Sequence, residues 1–188
     1  MHHRFFFLIL CLCAAAGCSK SEIPAGAPEV QKRGHDKATP LPPVEACSLL
    51  TSEEIEAAQG EPVQETKPTQ RVDRGLAMSD CYFALPTFTN AVSLSVGQRG
   101  DGPNARHASD FWKDIFTEAT VRGSEKSPPP KKVEGLGDDA YWTGNERMGA
   151  LHVLQGERYL RISVGGPGDQ QAKIDKCRQL IEAALRRL

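Results

Sequence analysis

Apolar and polar positions alternate with two different periods along residues 45–188. A period of two, typical of a strand with one buried face, is clearest where Val92, Leu94 and Val96 share one side. Such runs predict strands at residues 81–85, 91–98, 140–143, 150–155 and 158–164. A helical period predicts helices at residues 52–58, 105–119 and 170–187. Together they predict an α+β fold in which an antiparallel sheet carries its helices mainly on one face.

Capping residues define the ends of two predicted helices. Thr51 followed by Glu54 is a capping box that opens the first helix, and Gly60 ends it. Asp169 precedes the last helix as its N-cap.

A heptapeptide occurs twice, once in each half of the chain. Residues 95–101 (SVGQRGD) match residues 163–169 (SVGGPGD) at five of seven positions, and each copy ends a predicted strand and leads to a helix. A strand-strand-helix unit used twice explains the match. Convergence explains it equally well, because glycine turns and an acidic cap suit any strand that feeds a helix.

A separate apolar run lies near the N-terminus, at residues 5–16. It is too short to cross a bilayer as a helix, which takes about 20 residues, so we interpret it as a signal segment. The run closes on Ala15-Ala16-Gly17-Cys18, a sequence that resembles a bacterial lipobox and predicts acylation of the Cys18 thiol. A usual lipobox has Leu, Val or Ile in place of Ala15, so an ordinary secretory cut after Gly17 is the alternative.

Cleavage before Cys18 divides the chain into three parts. Residues 1–17 are the signal peptide, residues 18–44 are the lipidated cysteine with a disordered, proline-rich tether, and residues 45–188 are a single globular domain. Several acyl chains, palmitate among them, anchor such a protein firmly to a membrane, facing the periplasm or the cell exterior. Ser19 after the lipid site favours the outer membrane in a cell that has two.

The charge balance excludes one class of partner. The chain has 23 basic and 24 acidic residues, and loss of Arg4 with the signal leaves 22 against 24. No large basic excess therefore points to nucleic acid.

Three cysteines besides the acylated Cys18 remain after processing, in a compartment where disulfides persist. Cys47 precedes a helix and Cys81 lies in a strand, whereas Cys177 belongs to the apolar positions of the last helix. We therefore predict a Cys47–Cys81 disulfide and a buried Cys177. A reactive or metal-binding Cys177 is the alternative.

No catalytic, metal or cofactor motif is recognisable. Adjacent Asp138 and Asp139 follow a glycine turn, and His107 and His152 stand apart from any nucleophile motif. The two glycine-rich turns lack a phosphate-binding fingerprint, and we interpret Arg99-Gly100-Asp101 as accidental rather than adhesive. Trp112, Tyr141 and Trp142 form a candidate binding surface for an apolar ligand or partner, although packing in the core explains them as well.

Two stretches carry a resemblance. They are Cys47-Ser48-Leu49-Leu50-Thr51, with Cys81 further on, and Gly135-Leu136-Gly137-Asp138-Asp139-Ala140-Tyr141. Together they resemble an uncharacterised family of small bacterial lipoproteins with a domain of unknown function. The resemblance implies a compact α+β domain on a lipid tether and supports the Cys47–Cys81 pairing, without implying an activity.

Two hypotheses of function follow. The first is a lipid-anchored, non-enzymatic binding or assembly module of the cell envelope, which predicts an exposed apolar patch for an envelope protein or an apolar ligand. The second is an envelope hydrolase, which predicts that Asp138 or Asp139 meets His107 or His152 in a pocket.

Overall fold

The computed structural model divides the chain into two compact units, residues 1–38 and 39–188. It describes residues 41–116, 128–145 and 147–188, all of which belong to the second unit. The predicted signal peptide, Cys18 and most of the predicted tether lie outside the described residues. Among the described residues, no helix has the length and apolar character to cross a membrane.

The described chain forms one antiparallel sheet, as the alternating pattern predicts. Its seven strands are β1 (Glu65–Asp73), β2 (Leu76–Ala84), β3 (Val92–Arg99), β4 (Lys131–Lys132), β5 (Asp139–Gly144), β6 (Gly149–Gln155) and β7 (Arg158–Val164). Their order across the sheet is β1-β2-β3-β7-β6-β5-β4, so β3 and β7 lie at the centre. The α+β prediction is confirmed.

Three α-helices accompany the sheet in the described residues: α1 (Ser52–Gln59), α2 (Ala108–Phe116) and α3 (Gln170–Leu185). Short 3-10 helices span Ala46–Ser48 and Phe88–Asn90. The predicted caps are present. Thr51 and Glu54 form the capping box of α1, and the Asp169 carboxylate accepts a 2.8 Å hydrogen bond from Ala172 N at the start of α3. The last three residues predicted for α2, residues 117–119, lie outside the described residues.

One side of the sheet, which we call the closed face, carries most of the hydrophobic core. Because side chains alternate along a strand, Val92, Leu94 and Val96 on β3 point to the same side as Leu160 and Ile162 on β7. Helices α1 and α3 cover this side with the fully buried side chains Ile55, Leu180 and Ile181. The closed face therefore holds the continuous apolar layer that stabilises the domain.

The other side, which we call the open face, is covered by α2 alone among the described helices. Phe111 and Trp112 of α2 pack on Leu76, Met78 and Tyr159 in a second, smaller cluster. Two helices on the closed face and one on the open face agree with the expectation that helices pack mainly on one side.

The structure joins Cys47 to Cys81, the pair chosen from the sequence, with their Cα atoms 5.0 Å apart. The bond ties the segment before α1 to the closed face of β2, where Cys81 is buried. Cys177 is a free thiol on α3 and is fully buried. Burial raises the pKa of the Cys177 thiol to about 12, so it stays protonated and unreactive at neutral pH.

The two copies of the repeated heptapeptide end the central strands. β3 and β7 pair antiparallel with Leu94 opposite Ile162, and these two residues are themselves equivalent under the offset between the copies. This symmetric pairing favours the duplication hypothesis. The helices do not share the symmetry, because Asp169 caps α3 directly whereas α2 begins at Ala108, beyond Asp101 and on the opposite face.

Candidate functional site

The open face presents successive rows of side chains, each formed by residues that pair across neighbouring strands. The first row is Met78, Gly97, Tyr159 and Leu154. The second is Asp80, Ser95, Arg161, His152 and Tyr141. The third contains Tyr82, Ser93 and Ser163. The first row, on which α2 packs, is largely apolar, whereas the second and third rows are largely polar.

Two adjoining cavities lie on the open face, beside α2. One has a volume of about 360 Å³ and is bounded by Phe111, Phe116 and Tyr159. The other has a volume of about 800 Å³ and is bounded by Phe88 and Met148. Both are lined by Thr143 and Arg161, so we treat them as one cleft with Arg161 at its middle.

Arg161 is half-buried at the centre of the sheet. Among the described residues, its guanidinium has no hydrogen-bond or ion-pair partner. The neighbouring arginines differ: Arg71 contacts Asp80 at 2.9 Å and Asp73 at 3.0 Å, and Arg74 lies 4.6 Å from the centre of the Phe111 ring. A half-buried guanidinium without a counter-ion has lost part of its hydration, and a bound anion compensates for that loss.

His152 is the cross-strand neighbour of Arg161 and forms a short polar chain within the cleft. Its Nε2 lies 2.8 Å from Thr143 Oγ1, and its Nδ1 lies 2.8 Å from the Tyr159 hydroxyl. Burial, helped by the positive charge of Arg161, lowers the pKa of His152 to about 3. Burial also raises the pKa of Tyr159 to about 12, so both rings are neutral at pH 7 and His152 is a weak base.

The three aromatic residues predicted as a binding surface do not lie together. Trp112 and Tyr141 are neighbours on the open face, with ring centres 5.9 Å apart, and Trp112 Nε1 donates to Asp139 Oδ2 at 2.9 Å. Trp142 lies on the closed face, is 1% exposed, and is placed where any Cβ on Gly149 would collide with its ring. Trp142 therefore belongs to the core, the alternative that the sequence left open, and not to a binding surface, because adjacent strand residues point to opposite sides.

The acidic and histidine residues named by the hydrolase hypothesis form separate contacts. Asp138 accepts a hydrogen bond from Gly156 N at 2.6 Å and so fixes the turn between β6 and β7. Asp139 is engaged by Trp112 and by Lys132. His107 contacts Glu157 at 2.9 Å on the surface. None of the hydrogen bonds in the described chain joins either aspartate to either histidine.

The two glycine turns also have local roles. At the start of α3 the carboxylate of Asp169 takes the position in which a phosphate would bind. Arg99 lies 3.0 Å from His107 Nε2, so it is engaged within the domain. Within the part of the chain that the structure describes, no three His, Cys, Asp or Glu side chains converge as metal ligands.

Apart from His152, sequence reasoning did not single out the side chains that define the cleft. Arg161 stands between Leu160 and Ile162, a pattern that predicts an ordinary outward-facing residue on a strand. Phe88 begins a short 3-10 helix and Met148 lies between β5 and β6, where the sequence pattern assigns them no face, and they are 80% and 75% exposed beside the cleft. The run of Ser93 and Ser95 on the same side as Arg161 is the one signal that the open face is polar.

Comparison with protein-family models, with curated proteins and with solved structures finds no match to this chain. A functional assignment therefore depends on the chemistry of the cleft and of the N-terminal sequence.

Proposed function

We propose that this protein is a lipid-anchored, non-enzymatic binding module of the bacterial cell envelope, and that the cleft on the open face is its binding site. The N-terminal sequence supports the anchor, since the apolar run of residues 5–16 closes on a lipobox-like Ala15-Ala16-Gly17-Cys18. The Cys47–Cys81 disulfide suits an oxidising compartment outside the cytoplasm.

The observation that carries the binding role is the composition of the cleft. It combines Arg161, a cation without a counter-ion among the described residues, with the exposed apolar side chains of Phe88 and Met148. Exposed large apolar residues beside a concave surface are typical of a ligand or partner site. The part of the chain that the structure describes leaves these groups without partners, and a bound molecule would supply them.

The side chains of the cleft support binding rather than catalysis. His152 has its pKa lowered to about 3 and both of its nitrogens engaged, so it is a poor general base at neutral pH. No carboxylate contacts it among the described hydrogen bonds. The hydrolase alternative therefore has no specific geometry in its favour.

Affinity capture from the native envelope tests the proposal. The anchored protein is purified from its own membranes, and bound proteins and lipids are identified by mass spectrometry. We expect a specific molecule with the natural sequence and its loss in the double variant Phe88→Ser, Met148→Ser.

The matched control is Val72→Ser, which removes an apolar side chain that is equally exposed, at 78%, but lies on the edge strand β1 outside the cleft. Recovery of the same molecule from all three proteins would show that the cleft does not hold it. Recovery of nothing specific from any of them would contradict the binding module.

A further inference from the structure

We infer that the cleft binds an amphiphile with an anionic oxygen headgroup, a carboxylate or phosphate, which Arg161 holds while the apolar body lies between Phe88 and Met148. This inference rests on the proposed binding function and adds the chemical class of the ligand.

The charge of the cleft selects an anion. Among the described residues, four arginines line the two cavities (Arg71, Arg74, Arg147 and Arg161), and Asp73 is the one acidic side chain that does so. Asp80 pairs with Arg71 from the second row and balances one further charge. His152 contributes no positive charge at neutral pH, so the excess of positive charge belongs to the arginines. A cleft with this balance attracts an anion and repels a cation.

Two hydroxyl groups lie on the same face of the sheet as Arg161 and line the cleft on either side of it. The cross-strand neighbour of Arg161 on β3 is Ser95, and Ser163 follows two positions along β7 on the same side. Among the described residues, neither hydroxyl has a hydrogen-bond partner within the protein. A planar guanidinium with flanking hydroxyls matches the oxygens of a carboxylate or phosphate, which accept several hydrogen bonds at once.

The apolar side chains are arranged along the cleft rather than around Arg161. The larger cavity is lined by Arg161 and by Phe88 and Met148, two large apolar side chains that are 80% and 75% exposed. The smaller cavity ends against Phe111 and Phe116 under α2. A small anion without an apolar chain would contact Arg161 and leave these apolar surfaces in water. An amphiphile would contact Arg161 and also cover the apolar surfaces.

Calorimetric titration with defined amphiphiles tests the inference. The mature chain carries Cys18→Ser, so that it has no acyl chain of its own to compete. It is titrated with octanoate, which has a carboxylate headgroup, and with octyl phosphate, which has a phosphate headgroup. Octan-1-ol and octylammonium provide a neutral and a cationic head on the same chain. We expect at least one of the anions to bind about tenfold or more tightly than the alcohol, and the cation to bind more weakly still.

Variants locate the site. Arg161→Gln is expected to weaken binding of the anion by about tenfold or more, and Arg161→Lys to weaken it less, because the charge stays while the planar fork is lost. Arg186→Gln is the matched control, since Arg186 is exposed at the end of α3 on the closed side and should bind as the natural sequence does. A thermal unfolding curve for each variant shows that it is folded.

Two results would overturn the inference. One is binding of octan-1-ol equal to that of both anions, with no effect of Arg161→Gln, which would leave an apolar binding module intact but remove the anion. The other is no binding of either anion by the natural sequence. Recovery of a specific neutral molecule from the envelope would contradict the anionic ligand while supporting the proposed binding function, so the two failures are distinguishable.

Discussion

The two faces of the central sheet use the same strands for different purposes. On the closed face, Leu94 and Ile162 pair at the centre, are completely buried, and are covered by α1 and α3. On the open face, the neighbouring pair is Ser95 and Arg161, and the described chain leaves it at the floor of a cleft. One residue of offset along a strand therefore separates the core from the candidate site, which predicts that substitutions at adjacent positions have very different effects.

The largest contrast should come from neighbouring residues of β7. Ile162→Ala removes a side chain that is 0% exposed and leaves a cavity, so we expect a loss of about 2 to 5 kcal/mol in the free energy of unfolding. Ser163→Ala, on the open face one residue further on, should change it by less than about 0.5 kcal/mol. Urea unfolding of the two variants measures both values. Equal losses would contradict the division into closed and open faces.

The disulfide belongs to the closed face and should contribute nearly as much. It closes a loop with a sequence separation of 34 residues, and the entropy removed from the unfolded chain corresponds to about 3 to 4 kcal/mol. The double variant Cys47→Ala, Cys81→Ala should lose about that amount of unfolding free energy in urea. A loss below about 1 kcal/mol would mean that the unfolded chain is not constrained by this bond.

The open face should give the domain a pH dependence. The pKa of His152 is lowered to about 3 in the folded protein, whereas an unfolded histidine titrates near 6.5. Below pH 6.5 the unfolded chain therefore binds a proton that the folded chain does not. From pH 7 to pH 5 the stability should fall by about 2 kcal/mol. His152→Gln should remove this part of the pH dependence, and an imidazole signal that titrates near 6.5 in the folded protein would contradict it.

The smallest loss of stability is expected at the N-terminus of α1. Thr51 accepts a hydrogen bond from Glu54 N and donates its own N–H to Glu54, whose carboxylate also pairs with Arg187 at 2.9 Å. Thr51→Ala should therefore cost about 1 kcal/mol, while Thr51→Ser should cost much less because it keeps the cap. Thermal unfolding of both variants measures the difference, and equal melting temperatures would show that the cap contributes nothing.

The closed face was predictable from sequence, and the reason is its periodicity. The alternation of Val92, Leu94 and Val96 indicates a strand that is buried on one side only. The helical spacing of the apolar residues around Cys177 likewise indicates one buried side of α3. Strand β1 was not predicted, because it lies at the edge of the sheet and its side chains are not buried. Its residues are exposed from Glu65 to Val72, so the chain there carries no apolar alternation and is held by backbone pairing with β2 and by polar contacts such as that of Arg71 with Asp80.

The candidate site was not predictable in the same way. A residue such as Arg161 looks like an ordinary solvated position until α2 is placed beside it, and nothing in the helix sequence states which face of the sheet it covers. Trp142 shows the opposite case, a candidate for the binding surface that the structure buries. Its neighbour Tyr141 does lie on the open face, but the period of two that defines a strand sends Trp142 into the core.

The most direct test of the account observes both faces of β7 in one spectrum. Arg161 lies on the open face, and Arg158, whose guanidinium donates to the Leu188 carbonyl at 2.7 Å, lies on the closed side of the same strand. Addition of octanoate should shift the arginine Nε–Hε nuclear magnetic resonance signal of Arg161 in a saturable way and leave that of Arg158 unchanged. Equal shifts of the two signals, or no shift of the Arg161 signal at saturating octanoate, would contradict an anion-binding cleft on the open face.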